Sequence, residues 1–368
     1  MKKISRRSFL VNTSAATTSA LVLPSLMQSS KQKPFDGKKL NIALVGLGRY
    51  AEILANGLQH SQYCELAAIV TGHPAKAETW KQQYKIPDKN IYNYENFDSI
   101  KNNTDIDLVY VVLPNSMHAE YTIRSAKAGK HVICEKPMAT NVKDCEAMIK
   151  ACEDAHVQLA IGYRLHYEPY NLEIKRLGQE KVFGQVRLIE SSLGYKTGDP
   201  TEWRLHKALS GGGPLMNVGI YCLQSSRYVL GEEPVSVTAQ FGPKTDAELF
   251  KEVEASVFWQ LEFPSGAVCN SSSTYNCGVD RFFASADEGQ FELSPGISYG
   301  PFVGKTSKGE MHFPDINQQA AQMDGIGKLI LENKPLPNHI IGEEGLKDLK
   351  IMMAIYEAAE TGKKIQLT

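Results

Sequence analysis

Apolar residues fall into two rhythms along this chain, and the change comes near residue 180. Before it they form short, nearly unbroken runs: Leu40 to Val45, Glu65 to Val70, Leu108 to Leu113, His131 to Cys134 and Gln158 to Ile161. Runs of this kind, rich in Val and Ile, suit strands covered on both faces. Helical stretches separate them, among them Ala119 to Ala128, stopped at Gly129, and Val142 to Ala155, entered through Asn141 as a cap. Strand and helix in alternation predict a parallel, doubly wound α/β sheet over residues 40–160.

After residue 180 the runs lengthen and mix apolar with polar positions: Val186 to Leu193, Val235 to Phe241, Ala255 to Phe263, Ala267 to Tyr275 and Phe282 to Leu293. Pro264-Ser265-Gly266 and Asp287-Glu288-Gly289 have the chemistry of hairpin turns. A large, mostly antiparallel open sheet is therefore expected, in an α+β domain over residues 161–368. Two helices close it, Gln318 to Asn333 and Glu343 to Thr361, the second stopped by Gly362.

Composition narrows the field. With 368 residues, 42% of them hydrophobic, the chain can bury two cores of ordinary size. A formal net charge of -1 leaves no broad basic field to hold nucleic acid. The seven cysteines form no Cys-x-x-Cys pair, and no His cluster stands at metal-ligand spacing. Buried reduced thiols are expected, with neither a structural disulfide nor a metal site.

The N-terminus adds an address. Lys2 and Lys3 precede Ser5-Arg6-Arg7-Ser8-Phe9-Leu10, and a weakly apolar stretch of Ala, Thr and Ser runs on to Pro24. Twin arginines before Phe-Leu read as a twin-arginine export signal over residues 1–30, which sends a folded protein to the periplasm. Val11 to Leu23 is too short and too polar to span a bilayer, which takes ~20 apolar residues. No lipobox cysteine follows, so no stable membrane anchor is expected. Residues 31–39, with Pro34 and Gly37 among lysines, read as a linker or arm.

The first apolar run ends in Gly46-Leu47-Gly48-Arg49-Tyr50-Ala51, a Gly-x-Gly-x-x-Ala turn with a strand before it and a helix after it. That context makes it the phosphate-binding turn of a Rossmann dinucleotide domain. An NAD-selective site usually carries Asp or Glu at the end of the second strand to hold the ribose hydroxyls. Here the sequence is Val70-Thr71-Gly72-His73-Pro74. Thr71, Arg49 and Lys76 are suited to surround a 2′-phosphate instead, so NADP is expected ahead of NAD. Two further strand ends carry Leu113-Pro114-Asn115-Ser116-Met117-His118 and Glu135-Lys136-Pro137. A lysine there can steady a developing alkoxide. Gly211-Gly212-Gly213-Pro214 then opens a helix on which Asn217 and Tyr221, four residues apart, should share a face.

In this order and at this spacing, these motifs resemble the Gfo/Idh/MocA oxidoreductases. Within that family the glucose-fructose oxidoreductase type is most similar, through Gly162-Tyr163-Arg164-Leu165-His166-Tyr167-Glu168-Pro169 and Glu202-Trp203-Arg204-Leu205. Arg227 to Pro234 and Ile355-Tyr356-Glu357-Ala358-Ala359 extend the likeness, which runs from residue 40 onward and includes the leader. The resemblance implies that Lys136 and Tyr221 are catalytic, Tyr221 moving the proton of the reacting hydroxyl while Lys136 lowers its pKa. Asn217 stands where the family generally has Asp; an amide can orient sugar but cannot carry the proton. Cofactor contacts are implied for Gly46, Leu47, Gly48, Arg49, Tyr50, Thr71 and Lys76 in the first part of the domain. Further along they are implied for Pro114, Asn115, His118, Glu135, Lys136, Arg164, Trp203 and Arg204. A tightly bound NADP would be reduced by an aldose or polyol and recycled by a second carbonyl sugar. Residues 161–368 would then serve substrate binding and homo-oligomer formation. Two other functions share the scaffold: an NAD-dependent glycosidase using His118, His166 or His206 for elimination, and a non-catalytic dinucleotide sensor.

Overall fold

The computed structural model describes residues 37–367; the leader and the arm up to residue 36 lie outside the described residues. The first half runs β1 (Leu40–Val45), α1 (Arg49–His60), β2 (Cys64–Val70), α2 (Pro74–Tyr84), β3 (Ile91–Tyr92), β4 (Leu108–Val111), α3 (His118–Lys127), β5 (His131–Cys134), α4 (Val142–Asp154) and β6 (Leu159–Ile161). Its strands pair in parallel in the order β3-β2-β1-β4-β5-β6. The chain moves outward one way from β1 and the other way from β4, so right-handed crossovers put α1 and α2 on the face opposite α3 and α4. The turns that leave the carboxyl ends of β1, β4, β5 and β6 therefore share one edge, where Gly46, Pro114, Lys136 and Gly162 stand. The pattern did not announce α2, and the reason is physical: its only buried side chain is Trp80, so no apolar stripe marks it.

The second half contains α5 (Pro169–Gln179), β7 (Val186–Gly194), α6 (Lys207–Ser210), α7 (Ile220–Leu230), β8 (Ser236–Phe241), β9 (Ser256–Glu262), β10 (Val268–Thr274), β11 (Val279–Ala286), β12 (Gly289–Leu293), β13 (Gly304–Thr306), β14 (Gly309–Met311), α8 (Gln318–Leu331), α9 (Gly342–Thr361) and β15 (Ile365–Gln366). Nine strands form one sheet in the order β14-β13-β12-β11-β7-β10-β9-β8-β15. Only β7 and β10 run parallel; the other neighbours are antiparallel, as the mixed alternation predicts. Phe282 to Leu293 is a hairpin rather than one strand, β11 and β12 meeting at Asp287 and Glu288.

The halves are locked together by the last two helices. Asp324 of α8 accepts from Ser61 Oγ and the Gln62 and Tyr63 amides at the end of α1. At Gly57 of α1 a Cβ would lie 2.9 Å from Gln319 Cβ, so the missing side chain sets how closely α8 approaches. One hydrophobic core runs through both halves. Six of the seven cysteines are buried in or near it, whereas Cys277 is exposed. Among the described residues, no helix is long and apolar enough to cross a membrane.

Candidate active site

The two glycines of the first turn are there for different reasons. Gly46 has φ +93, and a Cβ would stand 2.5 Å from Val112 O, so the fold itself demands glycine. Gly48 has an ordinary φ of -88 as the N-cap of α1, and a Cβ there would meet no protein atom within 4 Å. No side chain caps α1 either. Open space before an uncapped helix start fits a dinucleotide pyrophosphate, which takes up those free amides. Lys76 lies against this turn, its Nζ donating to Leu47 O at 3.3 Å, and Arg49 is exposed beside it. Thr71 is buried, and its hydroxyl accepts from the His73 amide at 3.2 Å, so it holds the loop.

The next strand ends build a charged cluster. Glu135 is 7% exposed and accepts from Tyr110 Oη at 2.6 Å, and Tyr110 in turn accepts from Gln322 Nε2 of α8 at 2.7 Å. Burial raises the Glu135 carboxyl, opposed by the Tyr110 hydrogen bond and the Lys136 charge. Lys136 donates to the backbone carbonyl of Asn217 at 2.6 Å, and its Nζ sits 4.5 Å from the centre of the Tyr221 ring. Burial holds the ammonium well below the usual lysine range; Arg204 and Arg164 push the same way, and Glu135 opposes them.

Tyr221 departs from the expected arrangement. Leu215–Gly219 is a π-helical turn that runs into α7, a feature frequent at functional sites. Asn217 and Tyr221 consequently do different things. The Asn217 amide donates to Tyr195 Oη at 3.1 Å, while the Tyr221 ring packs against Lys136 and, at 4.9 Å, the Arg164 guanidinium. Burial pushes the Tyr221 phenol up, and the cation that pulls it back is Arg164, not Lys136. Lys136 Nζ lies over the face of the Tyr221 ring.

Arg164 itself is 2% exposed and spends its fork on protein, donating to Ser298 O, Ile297 O and Gln318 Oε1. It anchors the segment that carries Tyr299, whose ring lies 4.6 Å from the guanidinium and 6.5 Å from the Tyr50 ring. Arg164 thus joins the Lys136–Tyr221 cluster, and Tyr50, next to the phosphate turn, reaches it through Tyr299. Tyr50 is half-buried in the cluster, and desolvation first, then Glu135, Tyr221 and Tyr299, push its phenol up while Arg164 opposes them.

His118 is not free for a ligand: both ring nitrogens lie 2.9 Å from carbonyl oxygens, those of Pro137 and Leu113. It ties the β4 end to the segment after Lys136. Asn115 is buried and donates to Ser210 O at 2.8 Å, bridging from the turn after Pro114 to the approach of the Gly-Gly-Gly segment. Arg204 bonds Glu202 at 2.7 Å and stacks on Trp203, with its charge reaching Lys136. His166 packs on Tyr228 and His339, and His206 pairs with Glu252. The motifs passed over Tyr110, Tyr195, Tyr299 and Gln322. Tyr110 and Gln322 lie on a strand and a helix that the apolar pattern predicts, but no motif marks any of the four as part of a site.

Gly162 is tied directly to Glu135. A Cβ on it would collide with Glu135 Oε1 and lie 2.9 Å from Cδ and 3.0 Å from Tyr110 Oη. Gly162→Ala is expected to cost about 1–3 kcal/mol by overpacking and to swing Glu135 away from Tyr110. Thermal unfolding, with activity measured at a temperature where both proteins are folded, checks it; an unchanged melting midpoint contradicts it.

A glycine turn before an uncapped helix, with a lysine–tyrosine pair on the same sheet edge, defines a dinucleotide-dependent oxidoreductase. A model of the oxidoreductase family with an NAD-binding Rossmann fold matches residues 40–163, and one of the GFO/IDH/MocA C-terminal domain matches residues 171–292. The chain belongs to the GFO/IDH/MocA oxidoreductase family. The crystal structure of aldose-aldose oxidoreductase from Caulobacter crescentus, complexed with glycerol, is similar at 42% identity and a TM-score of 0.87, over 90% of this chain and 100% of that one. D-xylose 1-dehydrogenase [NADP(+)] of Haloarcula marismortui is 27% identical over 89% of this chain and 93% of its own. Inositol 2-dehydrogenase of Rhizobium meliloti is 28% identical over 66% of this chain and 71% of its own.

Proposed function

We propose that this protein oxidises an aldose or polyol with a tightly held nicotinamide dinucleotide, NADP ahead of NAD, and that a second carbonyl sugar recycles the cofactor. The observation that carries the reading is the contact of Lys136 with both the Tyr221 ring and the Asn217 carbonyl at the strand edge. The 42% identity to a protein named for aldose-to-aldose transfer supports the choice of sugar. Lys76 at the glycine turn and the absence of an acid after Val70 support NADP.

When bound, the dinucleotide supplies the acceptor and donor of hydride; the protein supplies the proton chemistry. Lys136, held below the usual lysine range, has free amine available near neutral pH to take the proton of the reacting hydroxyl. In its ammonium form it steadies the alkoxide left by that proton until hydride leaves the carbon, and in the reverse direction it protonates the alkoxide that forms as hydride arrives. The Tyr221 phenol is pushed up and stays protonated, so it donates to the same oxygen and fixes its direction. Asn217 and Tyr195 offer a neutral, partly exposed pair of hydrogen-bonding groups suited to a sugar's other hydroxyls. Export to the periplasm, if the leader acts as it reads, favours a resident cofactor, because free dinucleotide is scarce there. The open sheet face bearing Phe258, Asn270 and Arg281 is the surface we assign to a second copy in a homo-oligomer.

No observation favours the glycosidase reading: His118 is held by two carbonyls, His206 pairs with Glu252, and His166 is packed between Tyr228 and His339. The test uses full-length protein, desalted and given no added cofactor. Reduced-nicotinamide absorbance should rise on addition of glucose or another aldose and fall on addition of fructose or another carbonyl sugar. Mass analysis of the released cofactor should find the 2′-phosphate. Resident cofactor that answers to no sugar overturns the proposal; reduction of added cofactor alone overturns the recycling.

A further inference from the structure

We infer that Glu254 is a positioning residue for Lys136, acting through the backbone of the turn that carries Asn217; the inference rests on the reading of Lys136 as the proton-carrying group. Glu254 lies outside every motif, just before β9, and is 9% exposed. Its carboxylate accepts from the Gly213 amide at 2.8 Å, the Leu215 amide at 3.1 Å and Tyr356 Oη of α9 at 2.9 Å. Leu215 is the first-turn amide of the helical segment, and Gly213 is the residue before its Pro214 cap; both amides would otherwise be buried and unpaired.

This clamp also accounts for the glycines. A Cβ at Gly212 would collide with Tyr356 Oη, and one at Gly213 would collide with Glu254 O. The Gly-Gly-Gly segment is therefore built to let Glu254 and Tyr356 approach the backbone, in contrast to Gly48, which faces open space. With its first amides pinned, the segment enters as a π turn, and the Asn217 carbonyl ends 2.6 Å from Lys136 Nζ. That carbonyl is the hydrogen-bond acceptor that fixes where the lysine nitrogen stands. Glu254 thus acts on the reacting centre through its two hydrogen bonds to backbone amides and the turn they hold, and not through substrate or cofactor.

The test compares Glu254→Gln and Tyr356→Phe in the full chain. Glutamine offers one acceptor where two amides need one each, and its NH2 faces a donor. Tyr356→Phe removes one donor and keeps the fold's packing, so it reads the clamp even where Glu254→Gln folds poorly. Two quantities are followed: kcat for sugar oxidation against pH, and the pH dependence of Lys136 labelling by an amine-reactive reagent, read by peptide mass. A fall in kcat of about 10–100-fold is expected for Glu254→Gln, because a small misplacement of the reacting group is costly. The Lys136 labelling midpoint should move to lower pH, since losing the Asn217 carbonyl removes an acceptor that favours the ammonium. Tyr356→Phe should move both in the same direction by less, and the double variant should add little to Glu254→Gln. Unchanged kcat and labelling in folded variants overturn the inference. If no sugar supports turnover in the unaltered protein, the proposed function fails instead, and the labelling arm still decides whether Glu254 positions Lys136.

Discussion

Lys136→Met is expected to lower kcat for sugar oxidation by about 10³-fold, within the range that a general acid–base group contributes. Dinucleotide affinity should change little, because the glycine turn and Lys76 form a separate part of the edge. Methionine keeps an unbranched apolar side chain in the space beside Tyr221 and removes the charge and the proton. The pH profile is the sharper reading. Burial lowers the Lys136 pKa, so the free amine appears as pH rises through a value well below that of an ordinary lysine. Oxidation, which needs the amine as acceptor, should rise across that window; reduction, which needs the ammonium, should fall across it. Lys136→Met should flatten both limbs. Stopped-flow rates in both directions from mildly acid to mildly alkaline pH measure this, and a limb that survives the substitution assigns the proton to another group.

Tyr221→Phe is expected to lower kcat by about 10²-fold while leaving the limbs in place. The ring that contacts Lys136 and Arg164 is retained, so the packing of the cluster and the lysine's surroundings persist. Only the hydroxyl that orients the reacting oxygen is lost. The two variants separate the roles: if Tyr221→Phe abolishes the pH limb and Lys136→Met leaves it, the tyrosine carries the proton and the lysine only steadies the oxygen. A rise in KM alone, with kcat unchanged, would remove Tyr221 from the chemistry altogether.

The contrast between the two halves of the chain explains how much could be read in advance. Parallel strands buried on both faces announce themselves as unbroken apolar runs, so β1, β2, β4, β5 and β6 stand at or within two residues of the positions the runs predict. Helix α2 and the short strands β3, β13, β14 and β15 carry no such signal, being solvent-facing or only two or three residues long. The Gly-x-Gly-x-x-Ala turn was legible because its chemistry is local: strand, turn and helix follow one another within a dozen residues.

The sequence by itself determined the two-part α/β and α+β architecture, the dinucleotide turn and the candidates Lys136 and Tyr221, because each rests on short-range periodicity or a contiguous motif. Tertiary structure alone decided what those residues touch. Arg164 donates to Ile297 and Ser298, 133 and 134 residues away, Tyr110 reaches Gln322 across 212 residues, and Glu254 reaches Tyr356 across 102. His118 reads as a cofactor ligand from its motif, yet two carbonyls converge on it only when β4 and the Lys136 segment lie side by side. Contacts between distant segments depend on how sheets and helices close on one another, and no local pattern records that closure.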